Sequence, residues 1–260
     1  MPAHSARPAS PKASTPAPTT PDANPVADHP SATGYTVRPK HQPPILRSPD
    51  PEPRLPSDTH NGLQQVISGP SGVGKTTITR AIERSIPDAT FSISATTRPK
   101  TDADVDGVDY HFMTGEQFTD RIANDEFLEH AVYAGNCYGT LRAPVDAQLE
   151  RGRLVILEID VQGAEQVKKK MPSAFGLFIL PPSEEELLER LRARKRESEE
   201  VIQRRFAAAR EEIARAKNNG AYDAFITNDN LDRAIEEALT LIRAERARRA
   251  GKTDPDRSAR

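Results

Sequence analysis

The sequence predicts an α/β fold with a parallel central sheet, and three features point to it. Strand-like and helix-like segments alternate from Asn61 onward, as they do where helices join parallel strands. The runs Leu154–Asp160 and Phe175–Leu180 are apolar through their middles, which is typical of strands buried on both faces. A glycine-rich loop joins the first strand to the first helix. About 190 residues suffice for one such domain.

The predicted strands are short runs of apolar or β-branched residues between turn signals. The stretch from Ala95 to Asp106 is polar and has no predicted strand, and Gly135-Asn136 predicts a turn before Cys137. The strands expected in addition to the two central runs are Leu63–Ser68, Thr90–Ser94, Val108–Phe112, Phe127–Tyr133 and Ala224–Ile226.

The predicted helices follow from capping signals and helical periodicity. Ser183 followed by Glu186 makes a capping box for a helix that continues through Leu191. The basic run Lys168–Lys170 is typical of a helix C-terminus, where cations complement the helix dipole. Further helices are expected from Thr77, over Thr114–Ile122, over Ser198–Lys217 and over Leu231–Arg249.

Composition separates the two ends of the chain from this domain. Of 23 prolines, 15 precede Asn61, and the segment is also rich in Ala, Ser and Thr. Such a segment buries too little apolar surface to offset its ordering entropy. We therefore expect a disordered extension over residues 1–59, dispensable for catalysis, a folded domain over 60–250 and a flexible tail over 251–260.

Charge and residue usage exclude several kinds of protein. The net charge of −2 argues against a general nucleic-acid binder, which needs a strongly basic face. The single Cys137 excludes an intrachain disulfide and suits a reducing compartment, and we interpret it as a packing residue.

No run approaches the roughly 18 apolar residues that span a membrane, and no signal peptide is evident. We expect a cytoplasmic protein.

The loop Gly69-Pro70-Ser71-Gly72-Val73-Gly74-Lys75-Thr76 is a complete phosphate-binding loop, or P-loop. Its glycines let backbone N–H groups turn toward phosphate oxygens, and Lys75 can reach the β- and γ-phosphates of a nucleoside triphosphate. The Thr76 hydroxyl is positioned to bind Mg²⁺. Thr77 continues into the helix, whose N-terminal dipole favours the anion.

Two acids end a predicted central strand. Glu158 and Asp160 follow the buried run, and the carboxyl ends of parallel strands face the ligand crevice. Because alternate side chains on a strand share a face, we expect both acids to point the same way, with Asp160 facing the site. They could organise Mg²⁺ through water or contact an acceptor nucleotide.

With the P-loop, further motifs from about Gly62 to Ala244 resemble the guanylate kinases, which transfer a phosphoryl group from ATP to GMP. The resemblance implies a P-loop three-layer fold, a small mixed α/β GMP-binding insert over about 94–146 and a helical lid over about 190–205. It also implies ATP, GMP or dGMP, and Mg²⁺ as ligands, and reversible transfer. The motifs are Ser94-Ala95-Thr96-Thr97-Arg98-Pro99, Gly107-Val108-Asp109-Tyr110-His111-Phe112, Glu126-Phe127-Leu128-Glu129, Gly135-Asn136-Cys137-Tyr138-Gly139-Thr140, Glu158-Ile159-Asp160-Val161-Gln162-Gly163-Ala164 and Asn228-Asp229.

The resemblance implies which side chains recognise the guanine base. Glu129 matches the position that accepts hydrogen bonds from N1–H and the exocyclic amine, and an ionised carboxylate can accept both. Ser94 and Thr140 match hydroxyl positions beside the base, and Asp160 is assigned to the same nucleotide. A polar site of this kind rejects adenine because its own groups would be left unpaired. Without the resemblance, Glu129 would be an ordinary strand carboxylate.

The resemblance assigns the GMP phosphate to Arg98, Tyr110 and Tyr138. The guanidinium is a cationic fork, and the phenols are donors. The family usually has a second arginine three residues after the first, where this chain has Thr101. Lys100 beside it offers a point charge instead of a bidentate partner, so we expect weaker GMP binding.

Arg194 and Arg205 match the family's arginines that neutralise charge during transfer, and Lys75 and Arg98 complete the catalytic set. Asn228 matches a position near the adenine of ATP. Family lids usually have glycine at the positions of Ala193 and Lys195, so we expect a stiffer lid.

Two alternatives stay open from the residues alone. A related kinase phosphorylates ribose 1,5-bisphosphate, but that acceptor has no guanine to use Glu129, Ser94 and Thr140. Guanylate-kinase-like modules of scaffold proteins bind phosphopeptides and typically have degraded P-loops. The intact Lys75 and Thr76 favour catalysis over a scaffold role.

Overall fold

The computed structural model describes residues 62–193 and 198–252, which form an α/β structure. The helices are α1 (Lys75–Ser85), α2 (Gly115–Ala123), α3 (Arg142–Glu150), α4 (Val161–Lys170), α5 (Glu184–Ala193), α6 (Glu199–Asn218) and α7 (Leu231–Lys252). The strands are β1 (Leu63–Ser68), β2 (Ala89–Phe91), β3 (Ala95–Thr96), β4 (His111–Phe112), β5 (Phe127–Tyr133), β6 (Asn136–Leu141), β7 (Leu154–Glu158), β8 (Phe175–Leu180) and β9 (Ala224–Thr227).

The central sheet has the order β2-β7-β1-β8-β9, and all its strand pairs are parallel. One face packs against α1 and α7 through a cluster that includes Ile78, Ile82 and Ile242. The other face packs against α3, α4 and α6, with Val145 and Val167 in a second cluster. The prediction of three layers around a parallel sheet is confirmed.

A second, smaller sheet has the order β4-β3-β6-β5. The pair β3–β4 is parallel, whereas β3–β6 and β5–β6 are antiparallel, so this sheet is mixed as expected. Its own small core contains Ala95, Phe118, Phe127 and Leu141. We call the segment from β3 to β6 the insert, because it interrupts the central fold between β2 and α3.

Two predicted strands have wrong boundaries, and one short strand between them was not predicted. β2 ends at Phe91 instead of Ser94, since its pairing with β7 stops there. The polar stretch after it contains β3, a two-residue strand whose pairing with β4 and β6 gives no local signal. β4 covers only His111 and Phe112 of the expected Val108–Phe112 run, because two-residue β3 offers no more partners.

The basic C-terminus of α4 is confirmed, the predicted capping box of α5 is half formed, and one helix was not predicted. The Ser183 hydroxyl accepts from the Glu186 N–H at 3.2 Å, although the Glu186 carboxylate binds Arg190. α5 and α6 pack together through Leu187, Leu191 and Ile202, in the region expected to form the lid. The helix that was not predicted is α3. It has no side-chain cap, and a capping residue is the signal that would have indicated its start.

The last helix is longer than predicted. α7 ends at Lys252, whereas the predicted helix ends at Arg249. Near the end of the helix, Arg249 binds both Glu245 and the Ser173 carbonyl oxygen. The predicted extension over 1–59 and the residues after 252 lie outside the described residues. Within the described ranges, no helix has the length and apolarity needed to cross a membrane.

A buried ion pair ties α7 to the central sheet. Asp88, which is 7% exposed, precedes β2 and accepts from both terminal nitrogens of Arg246, at 2.9 and 2.5 Å. Removing the arginine would leave a buried carboxylate without this partner, which is costly. The pair therefore stabilises the docking of α7.

We predict that Arg246→Met lowers the free energy of unfolding by about 2 kcal/mol, the scale of hydrogen bonds to charged groups. Urea denaturation measures this. Arg243→Met on the exposed side of the same helix is the matched control, with an expected change below about 0.5 kcal/mol. Equal losses in the two variants would contradict the role of the ion pair.

Candidate active site

The P-loop connects β1 to α1 and leaves the start of α1 open to an anion. Gly72 and Gly74 have φ values of 91° and 93°, a left-handed conformation that glycine adopts without strain. Gly74 is the N-cap of α1, and no side chain caps the helix there. The first N–H groups of α1 are thus available to phosphate oxygens, as the sequence predicts.

Two threonines of α1 hold the carboxylate that ends β7. The Thr76 hydroxyl donates to Glu158 Oε1 at 2.7 Å, and the Thr79 hydroxyl donates to Glu158 Oε2 at 2.8 Å. Glu158 therefore lies beside the P-loop, as its strand-end position predicts. Thr79 was not predicted, although its position one helical turn after Thr76 could have indicated it.

Two cations lie against the P-loop. Lys75 Nζ donates to the Gly69 carbonyl oxygen at 3.1 Å, so the ammonium group folds back over the loop. Arg205, from α6, donates to the Ser71 hydroxyl. Arg205 therefore reaches the P-loop directly from a helix more than 120 residues later in the chain.

Asn228 follows β9 and supports the P-loop from beneath. Its side-chain amide donates to the Val73 carbonyl oxygen at 2.7 Å, and the residue is 6% exposed. A Cβ on Gly74 would lie 2.6 Å from the same amide nitrogen. The contact requires glycine at position 74 and helps to set the shape of the loop.

A cavity of about 470 Å³ lies between the central sheet and the insert. Thr76 and Glu158 line it from the side of the P-loop. Ser94, Tyr110 and Thr140 line it from the side of the insert. The cavity therefore contains part of the predicted site from each side, whereas the following predicted residues are not among those that line it: Lys75, Arg98, Glu129, Tyr138, Asp160 and Arg205.

The Glu129 carboxylate is buried where the insert meets α4. Glu129 is 7% exposed, and its Oε1 accepts from the Thr140 hydroxyl at 2.6 Å. Its Oε2 would lie 3.1 Å from a Cβ on Gly163, so glycine at position 163 lets α4 approach the carboxylate without crowding it. Burial raises the pKa of Glu129, and the charge of Asp160 adds to the effect. Donors that favour the ionised form would lower this pKa again.

Arg98, Tyr110 and Tyr138 form one cluster. The Arg98 Cζ lies 5.2 Å from the centre of the Tyr110 ring, within the range of a cation–π contact. The Tyr110 and Tyr138 ring centres are 6.0 Å apart in an edge-on arrangement. The three predicted phosphate-binding side chains are therefore neighbours.

Asp104 organises this cluster and was not predicted. It accepts from both terminal nitrogens of Arg98, at 3.0 and 2.9 Å, and from the N–H and hydroxyl of Thr101, each at 2.7 Å. These hydrogen bonds hold the pKa of Asp104 well below its usual range. Thr101 thus contacts the acid that orients Arg98, and the adjacent Lys100 is exposed.

The prediction that strand alternation orients Asp160 is wrong. β7 ends at Glu158, so strand alternation does not orient Asp160. Asp160 is instead the N-cap of α4, and its carboxylate accepts from the Gly163 N–H at 2.7 Å. Glu212 on α6, which was not predicted, is a further acid here. Burial raises the pKa of Glu212, while the positive charge of Lys75 opposes that shift.

Two further predicted site residues lie at the start of α1 and after the end of α5 in the sequence. Thr77 is exposed in the first turn of α1, where its N–H donates to the Gly74 carbonyl oxygen at 3.1 Å. Arg194, predicted to be catalytic, lies outside the described residues, as does Lys195. Ala193 is the last residue of α5.

A parallel sheet with a P-loop at its carboxyl edge, facing an insert with a buried carboxylate and an arginine–tyrosine cluster, defines a P-loop nucleotide phosphotransferase. The guanylate kinase family profile matches residues 63–245. The chain belongs to the guanylate kinase family.

Relatives with this name agree with that assignment. The guanylate kinase of Anaeromyxobacter dehalogenans is 48% identical over 196 residues, covering 75% of this chain and 86% of the relative. That of Carboxydothermus hydrogenoformans is 49% identical over 187 residues, covering 72% and 90%. The crystal structure of guanylate kinase from Anaplasma phagocytophilum matches with a TM-score of 0.56 and 30% identity, covering 72% of this chain and 88% of that one.

Proposed function

We propose that the protein is an ATP:GMP phosphotransferase that forms ADP and GDP reversibly, and that it also accepts dGMP. The observation that supports this most directly is the shared cavity, lined by Thr76 and Glu158 on one side and by Ser94, Tyr110 and Thr140 on the other. Phosphoryl transfer depends mainly on positioning and on neutralisation of charge. A single cavity between a donor site and an acceptor site meets the first need.

Base selection rests on the Glu129 carboxylate. Guanine presents two parallel N–H donors on one edge, and an ionised carboxylate accepts such a pair well. Thr140 already binds Glu129 Oε1, which orients the acid, and the Ser94 hydroxyl offers a further polar contact. Adenine lacks this donor pair and would leave the buried carboxylate poorly paired, which disfavours AMP.

The acceptor phosphate is assigned to the cluster of Arg98, Tyr110 and Tyr138. Arg98 is held by Asp104 through its terminal nitrogens, so the guanidinium is already oriented before a ligand binds. Because the guanidinium is already oriented, less conformational entropy is lost when the phosphate binds. The pairing with Asp104 also offsets part of the positive charge offered to the phosphate.

The donor phosphates are assigned to the P-loop. The uncapped start of α1 supplies N–H groups, Lys75 supplies a positive charge beside the loop, and Arg205 approaches from α6. These groups neutralise the charge on the transferring phosphoryl group. Asn228 supports the loop through the Val73 carbonyl oxygen. Its assignment to the adenine of ATP, and that of Arg194 to charge neutralisation, rest on the family resemblance alone.

The residues present fit an Mg²⁺ ion. The Thr76 hydroxyl and Glu158 Oε1 are 2.7 Å apart, so two hard oxygen atoms lie together beside the phosphate site. Mg²⁺ typically uses one or two protein oxygens and completes its shell with water and phosphate. When bound, the ion would neutralise phosphate charge. Within the described ranges there is no group of three or more His, Cys, Asp or Glu for a metal, and a nucleotide-bound Mg²⁺ requires none.

The proposed partners are ATP and GMP or dGMP, with no nucleic acid and no membrane. Their conversion belongs to purine nucleotide metabolism and the recycling of GMP. Because these substrates are soluble nucleotides, we propose that the protein acts in the cytoplasm.

A coupled assay with ATP and Mg²⁺ against GMP, dGMP, AMP and UMP tests the proposal. We predict transfer to GMP and dGMP, with kcat/KM for AMP and UMP lower by at least about 10³-fold, because neither base offers paired donors to Glu129. No transfer to GMP would overturn the proposal. Transfer to ribose 1,5-bisphosphate instead would identify the related sugar kinase, and phosphopeptide binding without transfer would identify a scaffold module.

Thr101→Arg tests the consequence of the missing arginine. We predict that it lowers the KM for GMP by about tenfold, the scale of one added charge-assisted hydrogen bond to phosphate. Asp104 keeps its bond from the backbone N–H of residue 101, so Arg98 should stay oriented. Thr119→Arg, at a position exposed on α2, controls for the added charge. An unchanged KM for GMP in Thr101→Arg would refute the idea.

A further inference from the structure

Strand β5 is an edge strand of the insert sheet. It pairs with β6 along one side, where His130 lies opposite Gly139 and Glu129 opposite Thr140. Among the described strands, none pairs with its other side, as the sheet order β4-β3-β6-β5 shows. The outward N–H and C=O groups of an edge strand need partners from elsewhere.

Helix α4 supplies those partners with two side chains. The Gln166 amide accepts from the His130 N–H at 3.2 Å and donates to the His130 carbonyl oxygen at 3.0 Å. Lys170 Nζ donates to the Phe127 carbonyl oxygen at 2.6 Å. A single glutamine thus replaces the neighbouring strand that His130 lacks, using one acceptor and one donor of its amide.

These side chains lie in one row with Gly163. Residues 163, 166 and 170 are three and four positions apart, so they share one face of α4. Gly163 is the residue that allows the close approach to Glu129 Oε2, and Gln166 holds the residue that follows Glu129. The same face of α4 therefore contacts the Glu129 carboxylate and forms the hydrogen bonds to β5.

We propose that Gln166 is a positioning residue that holds β5 against α4 so that Glu129 stays in register with Thr140 and Gly163. This inference rests on the proposed function, since it takes Glu129 as the base-recognising acid. The strand has an irregularity between Phe127 and Glu129, so pairing with β6 alone leaves the start of β5 weakly defined. Gln166 and Lys170 bind on either side of that irregularity.

Positioning of this kind affects one substrate selectively. Displacement of Glu129 by an ångström or less would weaken its two hydrogen bonds to the base, and such small misplacements can cost about 100-fold. The P-loop belongs to a different part of the fold, between β1 and α1. Loss of Gln166 should therefore raise the KM for GMP and leave the KM for ATP unchanged.

Gln166→Met tests the inference, because methionine keeps the length of the side chain and removes both hydrogen bonds. Lys169→Met, exposed on the same helix, is the matched control. We expect faster hydrogen exchange at the His130 amide, a KM for GMP raised about tenfold, and values of kcat and KM for ATP within about twofold of wild type. The control should match the wild type in all of these.

Faster exchange at His130 with an unchanged KM for GMP would overturn the positioning role, and unchanged exchange would overturn the contact itself. If Gln166→Met does not fold, Gln166→Glu replaces it. The glutamate keeps an acceptor for the His130 N–H but opposes the His130 carbonyl oxygen, so the same rise in KM is expected and its absence would overturn the role. No transfer to GMP by the wild-type protein would instead overturn the proposed function, and the role of Gln166 with it.

Discussion

The burial of the Glu129 carboxylate between the insert and α4 is the constraint on which the rest of the site depends. A carboxylate taken out of water is costly unless it is well paired, and burial raises the pKa of this one. Thr140 supplies one hydrogen bond, to Oε1. On the function proposed above, a base with two parallel N–H donors would complete the pairing, and the cost of burying Glu129 in the free protein would favour the binding of guanine. Selectivity would then come from the protein's own poorly paired carboxylate.

The two sheets contribute different parts of this arrangement. The parallel sheet collects its loops at one edge, so the P-loop after β1, Glu158 at the end of β7 and Asn228 after β9 meet there. The mixed sheet instead carries Glu129 and Thr140 on adjacent antiparallel strands, directly opposite each other. The topology of the central sheet thus positions the proposed ATP-binding residues. The strand pair β5–β6 and its contact with α4 position the proposed GMP-binding residues.

Features with a local signal were predictable from the sequence. The P-loop pattern, the buried run of β8 and the span of α6 depend on neighbouring residues only, and the structure agrees with them. β3 has two residues and forms because β4 and β6 flank it, so no local pattern could indicate it. The role of Asp104 depends on the fold of a loop around Arg98, and that of Gln166 on the meeting of two distant elements. Glu129 itself was assigned by family resemblance, because its surroundings in the sequence are those of any strand.

Replacement of Glu129 tests the central claim most directly. The measurement is kcat/KM for GMP in Glu129→Gln, with Glu116→Gln, exposed elsewhere in the insert, as the matched control. The amide cannot accept both N–H groups of guanine, so a fall of about 100-fold or more is expected, with the KM for ATP and the control unchanged. A kcat/KM within a few-fold of wild type would contradict the account.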